Sequence, residues 1–412
     1  MSNNLLTISK ITNEALMVLE NELTFTGQVD RNYDDQFAVV GAKIGQTVNV
    51  RRPGRFLGAI GPNLVVEDFN ETSVPVTLST QFQVSTQFTT QDLALSLDMF
   101  SDRILKPAIA TVANKMDRDG LLVAKNNTAN IVGTAGTAPT GLITYLTAAA
   151  YLDSEGAPRD GRRSVTIEPF TSSTIVDSLK GLFVPTEQIS SQYTKGLMGR
   201  DSGGMNWYMD QNVVSQTFGS YASATLSCNV TTATGFLTSG WAYSSNITIG
   251  ATSAAATLNQ GDTFTIAGVY AVNPQNRQSY GKLRNFVVQS TTAIGSGGTA
   301  TVTVVPAVIT AGQFQNVSVT STGSQTVTPF NNTGIVSPQN ILMHRNAFTL
   351  ACADLELPEG VHFAGRASDK ELGLSIRVVR QYTINNDSIP TRLDVLYGWA
   401  PLYPELACRV AS

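Results

Sequence analysis

Residues 261–288 have the sequence GDTFTIAGVYAVNPQNRQSYGKLRNFVV, which contains the only charged side chains between Gln211 and His344. The other 54 of the chain's 58 charged residues lie outside this stretch. Apolar and polar residues alternate in GDTFTIAG (261–268) and in QNVSVTS (315–321), and turn sequences such as NPQN (273–276) separate such pieces. This pattern predicts short β-strands joined by turns. The four charged residues are Asp262, Arg277, Lys282 and Arg284.

Composition changes abruptly at both ends of this charge-poor stretch, which indicates an inserted domain. We place that domain at residues 222–338 and predict that it is an all-β barrel or sandwich. A disordered Ser/Thr-rich linker is the alternative, but the many Val, Ile, Phe and Tyr residues argue against it. Three positive charges and one negative charge give the segment a formal net charge of +2.

The N-terminal part predicts an amphipathic arm. A helix from about Ser9 to Asn21 would place Ile8, Ile11, Ala15 and Leu19 on one face. This apolar face has no evident partner in the neighbouring sequence, so we expect Ile8, Ile11 and Leu19 to contact another subunit.

The next segments predict a long two-stranded ribbon with a loose tip. The strands would be GQTVNVRRPGRF (45–56) and SVPVTLSTQFQVSTQF (73–88), and in the second strand Phe82, Val84 and Thr86 alternate with polar residues. An isolated ribbon is marginally stable in water and needs another surface to lie on. A second subunit could provide that surface.

A long helix is predicted from about Ser101 to Ala124, with Ser101 as N-cap. Pro107 and Gly120 are the two weak points in this helix. The predicted apolar stripe consists of Ile104, Ala108, Val112, Met116 and Val123.

The rest of the flanking sequence predicts an α+β layer. Residues 140–156 and 172–183 fit helices, and 164–169 fits a buried strand. After the charge-poor stretch, 340–355 resumes mixed structure with a helical run after His344, and 375–402 fits two strands joined by an Asn-Asn-Asp turn.

Catalytic and metal-binding patterns are missing from the sequence. His344 and His362 are the only histidines, and neither lies in a catalytic motif, so we interpret both as surface or interface residues. The three cysteines have no spacing typical of a redox pair or a zinc site. We therefore predict a protein that is not an enzyme and has no cofactor and no bound metal. No apolar run reaches the roughly 18 residues that cross a bilayer, so no membrane partner is expected.

The basic cluster of Arg51, Arg52 and Arg55 follows the first ribbon strand. Nucleic acid is one possible partner, but the formal net charge of −4 argues against tight binding along a phosphate backbone. Arginine is well suited to ion pairs at interfaces, and we predict that these three residues contact another subunit.

The order of these segments resembles the tailed-bacteriophage coat proteins with the Hong Kong 97-type fold, in the short-tailed Salmonella-phage branch that carries an inserted β-domain. The resemblance rests on the arm TNEALMVLENEL followed by VDRNYDDQF, on GQTVNVRRPGRF, and on LKPAIATVANKMDRDGL. The blocks LDSEGAPRDGRRSVTIEP and NILMHRNAFTLACADLELPEG follow in the same order, with the charge-poor stretch between them.

This resemblance implies an architecture. Residues 1–40 would be the arm, 41–90 the extended loop and 91–135 the peripheral domain with its spine helix. The first part of the axial domain would be residues 136–221, and the inserted barrel would follow at 222–338. Residues 339–412 would form the second part of the axial domain and the return strands of the peripheral domain.

The same resemblance implies a function. The chain would be a major capsid protein that self-assembles into hexamers and pentamers of an icosahedral shell, located in the virion and assembled in the bacterial host cytoplasm. Expected partners are further copies of the chain, a scaffolding protein, a portal protein, and double-stranded DNA enclosed without sequence-specific binding.

A β-rich tail protein or adhesin is the alternative. In that case residues 211–344 would bind a receptor or glycan, with Trp207, Trp241, Tyr243 and Tyr270 stacking on sugars. Aromatic side chains in a β-domain more often belong to its core.

Overall fold

The computed structural model describes residues 15–17, 19, 23–31, 45–58, 60–64, 66, 71–89, 106–178, 203–221, 224–234, 236–320, 323–330, 334–369, 374–385 and 388–412. The predicted contact residues Ile8 and Ile11 and the predicted N-cap Ser101 lie outside these ranges. The chain divides into two compact units. The first comprises Met1–Val50, Ser73–Gly120 and Phe348–Ala400, and the second comprises Arg51–Thr72, Leu121–Ala347 and Pro401–Ser412.

The described residues include both helices and many strands, in agreement with the predicted α+β class. The helices are α1 (Lys106–Asn127), α2 (Ile143–Ser154) and α3 (Pro169–Ser178). The first seven strands are β1 (Thr47–Arg52), β2 (Thr72–Thr77), β3 (Thr80–Thr89), β4 (Ile131–Gly133), β5 (Arg163–Ile167), β6 (Asn206–Met209) and β7 (Ser215–Thr217). Those that follow are β8 (Thr225–Cys228), β9 (Ser245–Thr252), β10 (Ala256–Leu258), β11 (Thr263–Val272), β12 (Ser279–Val288), β13 (Thr292–Ile294), β14 (Thr299–Val305), β15 (Val317–Val319) and β16 (Gln325–Pro329). The last are β17 (Val336–His344), β18 (Phe348–Ala353), β19 (Phe363–Asp369), β20 (Leu374–Arg380), β21 (Ser388–Pro401) and β22 (Ala407–Ala411).

Helix α1 is the predicted long helix, and it extends to Asn127. Its buried face comprises Ile109, Val112, Ala113, Met116, Leu121 and Ala124. Spacings of three and four residues place these side chains on one side of the helix. The predicted stripe was correct at Val112 and Met116, but Ala108 and Val123 are only half-buried. Ile104, its first predicted member, lies outside the described residues.

Gly120 lies within α1 where an aromatic ring packs against the helix backbone. A Cβ atom at this position would lie 2.5 Å from Cζ2 of Trp399. Glycine is unfavourable inside a helix by roughly 1 kcal/mol relative to alanine. The close packing of Trp399 is the structural reason for accepting that cost.

The first unit contains a sheet in which β18, β21, β20 and β19 are neighbours and β3 also pairs with β21. Strand β3 pairs antiparallel with β21 from Thr80↔Tyr397 to Thr89↔Ser388. Phe82, Val84 and Thr86 are half-buried, whereas Gln83, Ser85 and Gln87 are exposed. The alternation predicted for this segment is therefore confirmed.

The predicted ribbon is shorter than expected. Residues 73–88 form two strands instead of one, because the chain leaves strand geometry at Leu78 and Ser79. Only β2 pairs with β1, and β3 joins the larger sheet. The alternating pattern predicted strand geometry correctly but could not identify which strand would be the partner.

The arm contacts α1 within the first unit. Ala15 and Leu19 are fully buried in residues assigned to helix, as predicted. Further along the arm, the carboxylate of Asp117 accepts hydrogen bonds from the backbone N–H groups of Thr24 and Thr26, both at 2.8 Å, and from Oγ1 of Thr26 at 2.5 Å. Asp117 is only 1% exposed, so this contact is buried.

The second unit contains a mixed sheet of order β4-β22-β17-β5-β6, with β7 also paired to β17. Helix α2 packs on this sheet, and their shared core includes Tyr145, Leu152, Val165, Leu342 and Val410. The helix predicted after His344 was wrong, because Val336–His344 is a strand that continues through a 3-10 turn into β18. His344 is 1% exposed, so its interpretation as a surface or interface residue was also wrong.

Strands of the charge-poor stretch form a closed barrel. The strand order is β12-β14-β9-β8-β16-β11, and β11 also pairs with β12, which closes the ring. Strand β15 pairs with β11 as well. Every neighbouring pair of strands in this ring is antiparallel. Val, Ile, Leu and Phe side chains fill its core, including Ile247, Ile249, Phe264, Phe286 and Val304.

The chain enters and leaves this barrel side by side. The N–H of Gly334 donates to the carbonyl of Gly219 at 3.2 Å, and the N–H of Phe218 donates to the carbonyl of Ile335 at 3.0 Å. Adjacent ends are the geometry that an inserted domain requires. Among the described helices, none is both long and apolar enough to span a bilayer.

Candidate functional site

The basic cluster after β1 divides into buried and exposed arginines. Arg52 is the last residue of β1, and its side chain is 9% exposed. Arg55 is partly exposed at 32%, and Arg51 is largely exposed at 78%. Because side chains of a strand alternate between its faces, the neighbours Arg51 and Arg52 point in opposite directions. The three arginines therefore do not form one surface.

Arg52 makes its contacts within its own chain. Its Nη2 lies 2.5 Å from Oε1 of Glu405. Its guanidinium carbon also lies 4.3 Å from the ring centre of Tyr403 and 5.3 Å from that of Trp241. These are the distances at which a cation interacts with an aromatic face.

Glu405 connects Arg52 with Arg55, whose Nη2 lies 3.8 Å from the same carboxylate oxygen. Burial opposes ionisation of Glu405, but the positive charges of Arg52 and Arg55 hold its pKa below the usual range. Burial lowers the pKa of Arg55, against the opposing effect of Glu405. The carboxylate thus stays charged between two guanidinium groups.

A second ion pair lies beside the first, between Arg284 of β12 and Glu155 at the end of α2. Their side chains are 4% and 5% exposed. Burial alone would lower the pKa of Arg284, but the Glu155 carboxylate outweighs this effect and raises it. The hydroxyl of Tyr280 approaches the same carboxylate at 3.4 Å.

An open cleft of about 570 Å³ lies next to these pairs. Its walls come from the loop that follows β1, from residues 155–158, from the barrel turn at 273–278 and from residues 403–406. Arg277 of that turn donates from Nη2 to the carbonyl of Phe56 at 2.7 Å. The turn therefore contacts the loop root, the residues 53–58 that directly follow β1.

A third polar cluster lies where the barrel meets the end of α1. Lys125 donates from Nζ to Oε1 of Gln216 at 2.7 Å, and Nε2 of Gln216 donates to Oδ1 of Asp262 at 2.8 Å. Arg409 donates from Nη1 to the carbonyl of Gly261 at 2.8 Å. Burial lowers the pKa of Lys125 to about 8, with a further contribution from Arg409. Burial also lowers the pKa of Arg409 to about 10.

Each charge of the charge-poor stretch contacts another part of the second unit. Asp262 belongs to the Lys125 cluster, Arg277 holds Phe56 and Arg284 pairs with Glu155. Lys282 places Nζ 5.4 Å from the ring centre of Tyr151. The charges are therefore concentrated where the barrel packs on its own unit.

The candidate residues have different placements. Leu19 is fully buried in its own unit and has no exposed surface left for another subunit. Arg52 is occupied inside the chain, whereas Arg51 is exposed and pairs with Glu71 at 3.4 Å. Subunit contact by Arg51, Arg55, Ile8 and Ile11 stays a prediction.

Residues important to this site were missed at the sequence level. Glu405, Glu155 and Tyr403 lie far along the chain from Arg52, and no local motif marks them. The aromatic residues of the glycan-binding alternative also have internal contacts: Trp207 packs on Tyr145 with ring centres 4.8 Å apart, and Tyr243 donates to Oδ1 of Asn127 at 2.8 Å. Within the described residues, no group of three or more His, Cys, Asp or Glu is arranged to hold a metal ion.

Comparison with known proteins gives one family. The family model described as P22 coat protein, gene protein 5, matches residues 3–409. No curated protein sequence matches the chain significantly.

Solved structures of low sequence identity also align over most of the chain. A capsid structure of Ralstonia phage GP4 has 7% identity and a TM-score of 0.46, covering 94% of this chain and 88% of the other. A structure of Mycobacterium phage Che8 has 10% identity and a TM-score of 0.44, covering 94% of this chain and 90% of the other. A capsid structure of cyanophage P-SCSP1u has 10% identity and a TM-score of 0.42, covering 93% and 88%.

Proposed function

The chain belongs to the P22 coat protein family and is a major capsid protein that forms an icosahedral phage shell, and from this premise we propose that its subunits meet through the loop between β1 and β2. Family membership confirms the predicted Hong Kong 97-type coat fold and the prediction that the protein is not an enzyme.

Exposed apolar side chains on the loop support this proposal. Ile60 is 109% exposed, Leu64 90% and Val66 81%, and Phe56 and Leu57 nearer the root are also exposed. Single exposed apolar residues are ordinary on protein surfaces, whereas several within one short loop indicate an interaction site. In a shell, the surface that covers them belongs to another copy of the chain.

Arg51 is the charged residue that we assign to this interface. It lies at the root of the same loop, and its partner Glu71 is itself half exposed at 50%. An exposed ion pair contributes little to the stability of a single subunit. Its arginine can therefore pair with a neighbouring subunit at low cost.

The family resemblance also implies how the shell is assembled and with which partners. We expect hexamers and pentamers, a scaffolding protein during assembly, a portal protein at one vertex, and assembly in the bacterial host cytoplasm before the capsid becomes part of the virion. Packaged double-stranded DNA is enclosed without sequence-specific binding, which agrees with the formal net charge of −4.

Replacing Arg51 by Asp tests the interface. The change should leave the subunit folded but prevent or distort shells, because it reverses a charge at the contact. Arg162 provides a matched control, since it is 63% exposed and also lies near an acidic residue, Asp160, at 3.9 Å. Electron microscopy and light scattering after assembly should show defective R51D particles and ordinary R162D particles. Ordinary R51D shells with unchanged heat resistance would refute the assignment.

A further inference from the structure

Arg277 has a backbone conformation that arginine rarely adopts. Its φ is 55°, in the left-handed region that glycine enters without steric cost. A non-glycine residue held there costs on the order of 1 kcal/mol or more and is typical of positions with a functional constraint. This cost is consistent with a side-chain contact that glycine could not make.

The turn around Arg277 is well braced. Oδ1 of Asn273 accepts a hydrogen bond from the N–H of Gln275 at 2.8 Å, and the N–H of Arg277 donates to the carbonyl of Asn273 at 2.9 Å. The N–H of Asn273 in turn donates to the carbonyl of Gln278 at 3.0 Å. A turn closed in this way presents the guanidinium of Arg277 from a fixed point on the barrel.

The guanidinium reaches the root of the exposed loop. Nη2 donates to the carbonyl of Phe56, which lies between Gly54 and Gly58. Glycines give the chain many accessible conformations, so a loop root that contains two of them needs external contacts to keep one direction. Four residues before Phe56, Arg52 lies over the ring of Trp241, which also belongs to the barrel segment.

We propose that Arg277 is a positioning residue through which the barrel sets the direction of the extended loop. The barrel segment contacts the chain at two points, through Trp241 at Arg52 and through Arg277 at Phe56. Two points of contact fix the position of the loop root and the direction in which the loop leaves it. The exposed apolar residues beyond Phe56 are then presented in one direction. The consequence for assembly rests on the proposed role of the loop in subunit contact, whereas the positioning itself is a property of the single subunit.

Replacing Arg277 by Gly separates positioning from ordinary stabilisation. Glycine removes the contact with Phe56 and also relieves the unfavourable φ, so the barrel should be as stable as before or more stable. Ser253 provides a matched control, because it is an exposed barrel residue with φ 74°. S253G should relieve backbone strain in the same way without affecting the loop.

Loop direction can be measured in the unassembled full-length subunit. Spin labels are attached at I60C on the loop and at T301C on the barrel, and the distance distribution is recorded by electron paramagnetic resonance. The native thiols Cys228, Cys352 and Cys408 are all buried and should not take up label. We expect a distribution about twofold broader in R277G, an unchanged width in S253G and an intermediate width in R277K, which keeps a donor.

The proposal is overturned if R277G gives the width of the parent protein, or if S253G broadens the distribution as much as R277G does. Thermal unfolding of the barrel is measured in parallel. If the R277G barrel unfolds at a lower temperature than the parent barrel, the broader distribution reflects lost barrel stability, and the positioning role is refuted. Shell formation is scored separately. A broad distribution with ordinary shells would sustain the positioning role of Arg277 and refute the proposed role of the loop in subunit contact.

Discussion

Arg284 and Glu155 form an ion pair in which both side chains are almost fully buried, with 4% and 5% exposure. Arg284 belongs to β12 of the barrel, and Glu155 follows α2 of the mixed sheet. Taking two charges out of water is costly, and their attraction offsets that cost only while both are present. The pair therefore makes packing of the barrel on its unit depend on both residues.

Removing one member of the pair should lower the free energy of unfolding far more than replacing both. We expect E155A to lower the free energy of unfolding by about 3–5 kcal/mol, because it leaves Arg284 buried and unpaired. The double variant E155L/R284M should recover most of that loss, since an apolar pair of similar volume has no charge to desolvate. Urea unfolding of the unassembled subunit measures both, with R162A as an exposed control. Equal losses in the single and double variants would contradict this explanation.

Lys125 should make stability depend on pH. Its folded pKa is about 8 and its ordinary value is 10.5, so between these values the unfolded chain holds the proton more tightly. Stability must then increase as pH rises through this interval, by about 2 kcal/mol between roughly pH 7.5 and 9.5. The facing groups are Asp262, whose pKa is raised by burial, and Arg409, whose pKa of about 10 lies above the range tested.

The variant K125M isolates this effect. It has a side chain of similar length that cannot bind a proton, so the increase attributed to Lys125 should disappear while the pH dependence from other groups remains. The measurement is the urea unfolding free energy of both proteins at several pH values in that range. Parallel curves for K125M and the parent would show that the lysine does not titrate there.

Sequence patterns predicted what depends on neighbours along the chain. The spacing of Val112 and Met116 predicted the buried face of α1, and the alternation from Phe82 to Thr86 predicted the faces of β3. Pairing was different, because β3 pairs with β21, more than 290 residues later, and no local signal identifies that partner. The ion pair of Arg52 with Glu405 spans 353 residues, so the same sequence that suggested a charged contact could not show that it is internal.

Gly120 shows the same limit of prediction from sequence, here for helix propensity. Its low helix propensity predicted a weak point in α1, which is correct for an isolated helix. In the folded protein the position is filled by the ring of Trp399, against which a Cβ atom would collide. Propensity therefore gave the local cost, and only the tertiary structure gave the reason for it.

Asp117 should anchor the arm to α1. Its buried carboxylate accepts hydrogen bonds from Thr24 and Thr26, and bonds to a charged acceptor are stronger than neutral ones. We expect D117N to lower the unfolding free energy by about 2–4 kcal/mol, because an amide cannot accept on both sides. Limited proteolysis should then cut near residues 23–31 faster than in the parent. The control T111A removes an exposed hydroxyl of the same helix and should change neither readout.

The barrel should fold when residues 222–338 are produced alone. Its ring of strands is closed, so no long edge is left for pairing with other molecules. Apart from Tyr221, its buried core is formed by side chains of the segment itself. Adjacent entry and exit points at Gly219 and Gly334 mean that excision imposes no stretch on the ends. On excision Arg284 loses Glu155, and Asp262 loses Gln216 and Gly219 but keeps the N–H of Asn259. Both charged side chains become hydrated, so the loss is smaller than that of an unpaired buried charge. We therefore expect a soluble monomer with a dispersed amide spectrum. A collapsed, undispersed spectrum would show that the barrel depends on the rest of its unit and that the boundaries at 222 and 338 are wrong.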